Sequence, residues 1–443
     1  MKVLSHKLQN AILIKENFLH YLWKHKVFVI NQLQTSNNED LHIFRSGEHN
    51  LNSGPDFINA KIRIDDQLWA GNVEIHIRSS DWYLHHHEKD VNYDNVILHV
   101  VWENDIDIYR KHNTVIPTLE LKNIVSNKII DQYQILFSKQ LKWINCESLI
   151  HSVDKFTIDN WLEVLYFERL EQKSSLIYQL LQNSANDWET VLFQLLAKNF
   201  GLKVNGDAFL NLAKSLDFKI IRKEQSKLYS LEALLFGQAG LLQEEIEEPY
   251  YNKLKTEYRY LQAKYHLEPI FEGQFQFFRL RPNNFPTIRI AQFAMLYFLH
   301  KNLFIKILDT NSLDEFYDLF EVTTSSFWNR HYNFNSHSVK RLKKTSKPFI
   351  DLLLINTIIP IKFIYYKELG KIDEGSILKI PLLIKSENNN IIKRFEGIFS
   401  IKENKDLKIT NAFESQAFLQ LKTSYCNNQL CLQCAVGNAI LKK

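Results

Sequence analysis

The sequence predicts an α+β protein: an N-terminal mixed β-sheet flanked by helices, a helical middle, and a mixed C-terminal region that ends in a cysteine cluster. Three observations carry this. Strand-length runs rich in β-branched and aromatic residues recur before residue 103, helical spacing dominates from Val125 to about Lys301, and three of the four cysteines fall between Cys426 and Cys434. Three parts follow in chain order, residues 1–124, 125–303 and 304–443, with neither an internal repeat nor a low-complexity linker between them.

Residues 10–26 read as an amphipathic helix whose apolar stripe is Phe18, Leu19, Leu22 and Trp23, with Glu16 and His20 one turn apart. Strands are predicted at 41–44, 60–64, 69–77 and 96–102, and Asp65-Asp66-Gln67 marks a hairpin tip. Helices follow at 160–182, 187–199, 207–216, 231–242 and 249–264. Gly237-Gln238-Ala239-Gly240 lacks the lysine and spacing of a phosphate loop, so it reads as a place where helices pack closely. A second mixed region begins near Phe304. Its most apolar run, 349–366, is interrupted by Asp351, Asn356, Pro360 and Lys362, which fits a buried helix and strand rather than a membrane span.

With 443 residues, 45% of them hydrophobic and 23% charged, the chain has material for two or three domains with proper cores. A formal net charge of +4 excludes a global electrostatic argument for nucleic-acid binding, so any such surface must be local. The opening Met1-Lys2-Val3-Leu4-Ser5-His6 leads into polar residues, and the expectation is a cytoplasmic protein with no membrane partner. Oligomeric state is left open.

Chemistry concentrates between Gly54 and His99. Alternation through Val73, Ile75 and Ile77 sends Glu74 and His76 to the opposite strand face, and Asp56 opens the preceding strand. Two carboxylates so placed can share a divalent ion beside a proton-transfer group. The pattern resembles the PD-(D/E)XK (restriction-endonuclease-like) phosphodiesterase fold, carried here by Pro55-Asp56 and Glu74-Ile75-His76. That resemblance implies Mg²⁺ or Mn²⁺ on Asp56 and Glu74, a further ligand from the Ile75 carbonyl, and hydrolysis of DNA or RNA. His76 stands where the pattern has lysine, as base or water-positioner, with Lys61 or Lys89 as substitutes from elsewhere. Glu16 is either the helix acid of that fold or an ordinary surface glutamate. His85 and His87 would share one face of an extended segment and line the same cleft, while His99 reads as a hydrogen-bonded core histidine.

Along nearly its whole length the chain resembles the domain of unknown function 2851 family. The likeness rests on Asn52-Ser53-Gly54-Pro55-Asp56-Phe57, Gly71-Asn72-Val73-Glu74-Ile75-His76, the segments 95–101 and 234–240, and Arg281-Pro282-Asn283-Asn284-Phe285-Pro286-Thr287-Ile288-Arg289, together with the cysteine-rich end. It implies no activity.

Cys426, Cys431 and Cys434 have C-x4-C-x2-C spacing, and Cys146 is the available fourth ligand for zinc or an iron–sulfur cluster; the alternative is buried small apolar residues. The layout is similar to the four-cysteine iron–sulfur staple of some PD-(D/E)XK nucleases, although there the lone cysteine precedes the nuclease motifs. Arg279, Arg281 and Arg289 bracket an aromatic loop that either grips phosphates or clamps helices through acids such as Glu232 or Glu257. Lys340, Arg341, Lys343, Lys344 and Lys347 form the clearest basic run for a nucleic-acid backbone. The expected function is metal-dependent phosphodiester hydrolysis. Its rivals are a non-catalytic nucleic-acid- or protein-binding scaffold, and an enzyme of other chemistry holding Zn²⁺ or Fe²⁺ with the histidines, Glu74 and Asp90.

Overall fold

A computed structural model describes residues 14–138, 142–400 and 408–443. These form two compact units. The first holds the described residues up to Trp161, residues 398–400 and Leu421–Lys443; the second holds Leu162–Gly397 with Lys408–Gln420.

The first unit begins with α1 (Glu16–His25), which buries Phe18, Leu19, Leu22 and Trp23 and stops where Lys26 turns left-handed. The part of the expected helix before Ile14 lies outside the described residues. Seven strands follow: β1 (Leu33–Gln34), β2 (Asp40–Arg45), β3 (Glu48–His49), β4 (Phe57–Ile64), β5 (Gln67–Arg78), β6 (Val96–Glu103) and β7 (Thr118–Glu120). Their order is β1-β2-β4-β5-β6-β7, with β3 on the edge of β4. Pairing is antiparallel up to β5 and parallel from β5 to β7, which makes the sheet mixed as expected.

Asp65, at φ 47°, forms the predicted tight turn between β4 and β5. A parallel step needs a crossover, and the chain makes it with α2 (Asp81–Leu84) and two short 3₁₀ turns, packed over Trp82, Tyr93, Val96, Ile108 and Ile116. β6 is covered on both faces, so its first six residues are all buried. α3 (Asn127–Leu136) closes this part.

The second unit is helical: α4 (Lys155–Asn183, the larger part of it here), α5 (Trp188–Phe200), α6 (Leu202–Lys214), α7 (Phe218–Glu224), α8 (Leu228–Gln238), α9 (Pro249–Tyr265), α10 (Pro286–Leu299), α11 (Leu303–Asp309) and α12 (Leu313–Phe320). Helix starts are written in the sequence. Asp187 and Asp217 accept from the first backbone N–H groups of α5 and α7, and Ser312 with Glu315 forms a capping box on α12.

The region after Phe304 corrects the expectation of a second mixed region. Its only sheet among the described residues is the hairpin of β8 (His331–Asn333) and β9 (Ser336–His337). The remainder is α13 (Lys347–Leu353), a π turn at Leu354–Ile358, α14 (Ile359–Glu368), α15 (Glu374–Leu383), α16 (Asn390–Ser400) and α17 (Ala412–Gln420). Residues 347–368 make one helix and no strand, because the π turn accommodates Pro360, which lacks an N–H. This helix is long and apolar enough to cross a membrane by length and composition alone, and 67% of its most apolar window is buried inside the protein. Back in the first unit, a π turn at Leu421–Cys426 and a 3₁₀ turn at Cys431–Gln433 lead to α18 (Ala435–Leu441).

Candidate functional site

Asp56 sits just before β4 on a loop that Asn50 ties down, its amide reaching the carbonyls of Ser53 (3.1 Å) and Pro55 (3.0 Å). Because Phe57 pairs with Val73, Asp56 falls opposite Glu74. The two acids interlock. The Asp56 backbone N–H donates to Glu74 Oε2 at 3.1 Å, and the Ile75 N–H donates to Asp56 Oδ2 at 3.0 Å. From α1, His20 Nε2 lies 3.2 Å from Asp56 Oδ2.

Glu74 is 4% exposed. Burial first, and then the Asp56 carboxylate, push its pKa up to about 9. Glu16 is raised for the same two reasons, so α1 brings a third acid under the influence of the pair. For His20, burial opposes the charged form, but the bond to Asp56 and the surrounding acids outweigh it and raise its pKa.

Alternation puts His76 beside Glu74, as read from sequence, and both are buried. Three imidazoles then form a chain: His76 Nδ1 lies 2.8 Å from His99 Nε2, and His76 Nε2 lies 3.0 Å from His85 Nδ1. His99 Nδ1 is buried without a partner. A buried N–H with no acceptor costs more than an unused lone pair, which places the His99 proton on Nε2. Donation therefore runs from His99 to His76 and from His76 to His85. Burial and the neighbouring His87 and His85 lower His76 to about 3, and burial holds His99 well below its ordinary value, so both are neutral at pH 7.

His85 and His87 are not on an extended segment. His85 caps α2, His86 turns left-handed at φ 61°, and the reversal brings His87 Nε2 to 3.4 Å from Glu74 Oε1 without a hydrogen bond. The His87 ring stacks on Tyr93 at 3.8 Å, and burial lowers its pKa. Ligand atoms of His76, His85 and His87 lie within 4.8 Å of one another. Next to His20 a cavity of about 420 Å³ opens, with Lys24, His25, His49 and Tyr425 in its wall.

Other expected residues fall elsewhere. Lys61 and Lys89 are exposed, Lys89 lying 3.6 Å from Glu88, and Asp90 accepts from Asn92 in its own turn. Sequence reasoning left His99 and His20 out of the site. The signal for His20 was its one-turn spacing from Glu16; for His99 it was an imidazole inside an otherwise apolar strand.

Among the basic residues, Arg281, Lys340 and Arg341 are exposed and Lys344 pairs with Glu321. Lys343 departs from the expected phosphate contact. It is 3% exposed, donates to the Trp328 carbonyl and lies over the Tyr332 ring. Arg289 is likewise buried, and its partners are the amides of Asn284 and Gln292 and the Phe349 ring rather than an acid.

Cys146, Cys426, Cys431 and Cys434 line one small cavity of about 20 Å³ with Leu136, Asn145 and Tyr425. All four are free thiols. Burial, and after it the neighbouring cysteines, push Cys426 and Cys431 up to about 12 and raise Cys146 as well.

Comparison with curated proteins and with solved structures gives no match. A family model described as "Protein of unknown function (DUF2851)" matches residues 16–390, from the start of α1 to the start of α16, and the chain belongs to that family.

Proposed function

We propose that this protein is a metal-dependent phosphodiesterase acting on nucleic acid. The observation that carries the reading is the interlocked pair Asp56 and Glu74, with Glu16 and His20 on one side and His76 and His87 on the other. The order of elements supports a PD-(D/E)XK-like core: a helix bearing an acid, an antiparallel hairpin bearing the two carboxylates, then a parallel strand.

The donor set fits a divalent cation. Burial, and after it the neighbouring Asp56 carboxylate, push Glu74 far above its ordinary value, and a cation held by both acids would offset the cost of keeping the two charges there. Mg²⁺ or Mn²⁺ held by Asp56 and Glu74 supplies Lewis-acid stabilisation of phosphate charge and a more acidic water.

The imidazoles divide the remaining work. His76 has both ring nitrogens engaged and is neutral, so it positions rather than accepts: it fixes the site's inner wall and presents its Nε2–H toward His85 and Glu74. His87 is neutral with Nε2 unpaired beside Glu74, which suits it to accept a proton from an attacking water. Lys24 and His25 line the adjoining cavity, where an anionic strand can rest. A rival reading, a zinc or iron site on His76, His85 and His87, has the required proximity but needs the opposite tautomer of His76, which leaves a buried His99 N–H without an acceptor.

Titrating Mn²⁺ into wild type, Asp56→Asn and Glu74→Gln by calorimetry tests the cation site, followed by assays on single-stranded, duplex and branched DNA and on RNA. The expected outcome is metal binding and cleavage in wild type, loss of both in the two carboxylate variants, and at least 100-fold slower cleavage with binding kept in His87→Ala. Equal Mn²⁺ binding by all three carboxylate states removes the site. Metal binding without cleavage of any substrate favours a non-catalytic nucleic-acid-binding scaffold.

A further inference from the structure

Hairpin β8–β9 pairs His331 directly with His337, which puts both imidazoles on one face with ring centroids 4.4 Å apart. Glu248, the N-cap of α9, brings a carboxylate to the same place, and the ligand atoms of all three lie within 4.8 Å of one another. His331 carries the decisive detail. Its Nδ1 lies 2.9 Å from the Phe327 carbonyl, and a carbonyl can only accept, so the proton sits on Nδ1 and the Nε2 lone pair is free. That Nε2 is buried with no hydrogen-bond partner. A backbone carbonyl that fixes the tautomer of an imidazole whose other nitrogen is unclaimed is the usual outer partner of a metal-ligating histidine.

The surroundings hold this geometry. The His331 ring lies flat on Phe327 at 4.0 Å, Phe327 stacks on Tyr250 at 4.3 Å, and the Tyr250 hydroxyl donates to the buried Glu232. We propose that Glu248, His331 and His337 form a metal site for a borderline divalent transition ion, Zn²⁺ above all, in the second unit of the protein. Two imidazoles and one carboxylate are a zinc donor set, whereas Mg²⁺ and Ca²⁺ prefer oxygen alone. Three protein ligands leave a fourth position for water, on the side where His337 is exposed.

Zinc binding to the metal-stripped full chain tests this, read by elemental analysis, by the rise in Tm on adding zinc, and by the visible spectrum of the Co²⁺ form. Wild type should bind one equivalent more than His337→Ala or Glu248→Gln, and the lost Co²⁺ bands should lack thiolate charge transfer. His337 is exposed, so its variant should keep the wild-type circular dichroism. Unchanged stoichiometry and an unchanged zinc-induced Tm shift in His337→Ala overturn the site.

An independent observation carries a second inference. Cys146, far away in sequence, lines the same cavity as the three C-terminal cysteines, and none of the four is in a disulfide. We infer that these thiols hold one thiolate-bound metal centre. Among the described residues no three of the sulfurs lie within 4.8 Å of one another. A bound centre therefore either draws them in, as a zinc ion does, or spans the cavity, as an iron–sulfide cluster does. Anaerobic purification with metal and sulfide analysis separates the two: colourless protein with zinc, or coloured protein with iron and sulfide. Either outcome, with loss of the metal in Cys146→Ser and Cys431→Ser, supports the centre. Metal-free protein of full thermal stability overturns it.

Discussion

Glu232 lies in the second unit, 1% exposed, and accepts hydrogen bonds from Tyr250, from Ser325 at 2.9 Å and from Trp328 at 3.3 Å. Burial outweighs those three donors and pushes its carboxyl up to about 7 from an ordinary 4.5. The folded state then holds a proton that the unfolded chain has released, so stability linked to this group is complete below the ordinary value and is lost as pH rises through about 7. The loss is about 3 kcal/mol. Urea unfolding between pH 4 and pH 8 should show it as a falling midpoint, and Glu232→Gln should flatten that slope. A wild-type slope that survives the substitution assigns the proton to another group. This carboxylate was legible in the sequence only as a possible partner for an arginine, because burial is set by how α8 packs, not by its neighbours in the chain. Lys343 shows the same blindness: a basic run looks solvated, yet one of its members is turned inward onto a carbonyl and a ring. Asp56, Glu74 and His76 were legible because period-two alternation and a hairpin are local rules. His99 was not, since it joins the site through cross-strand register with Glu74.

At the scale of elements, β2, β4, β5 and β6 and the helices α4, α5, α6, α8 and α9 follow the sequence pattern to within a few residues at most ends, whereas the short β1, β3 and α7 were not read from it. Gly237 shows why one of the less conspicuous readings holds. A Cβ there would meet the Tyr258 ring at 2.0 Å, so α8 and α9 approach at a distance that only glycine permits. The segment after Phe304 misled because short runs of isoleucine, leucine and phenylalanine fit a central strand and a buried helix equally well, and periodicity cannot separate them. Burial on nearly all sides erases the amphipathic signal: α14 buries Ile359, Ile361, Phe363 and Ile364, which do not keep to one helical stripe.

For the molecule as a whole, chain order is a poor guide to which parts pack together. The segment Leu421–Lys443 belongs to the first unit, where the cysteine loop meets Cys146 and where Gln429, Leu430 and Gln433 form part of the wall of the cavity beside His20. The loop is tightly drawn, for a Cβ on Gly437 would come within 2.0 Å of the Cys431 carbonyl. The metal inferred on the four thiolates would have two effects: it would contribute folding free energy to the end of the chain, and it would set one wall of the cavity next to the proposed catalytic carboxylates. Hydrogen exchange on the full chain, before and after chelation under reducing conditions, measures both. Exchange should speed up across the cysteine loop and α18 while β4, β5 and the helices α5 to α10 keep their protection, and Gly437→Ala should reproduce the effect without chelator. Nucleic-acid affinity should fall in both cases while Mn²⁺ binding at Asp56 and Glu74 persists. Uniform loss of protection throughout the protein would show instead that the cysteine centre supports the whole fold, and unchanged protection would remove it as a structural element.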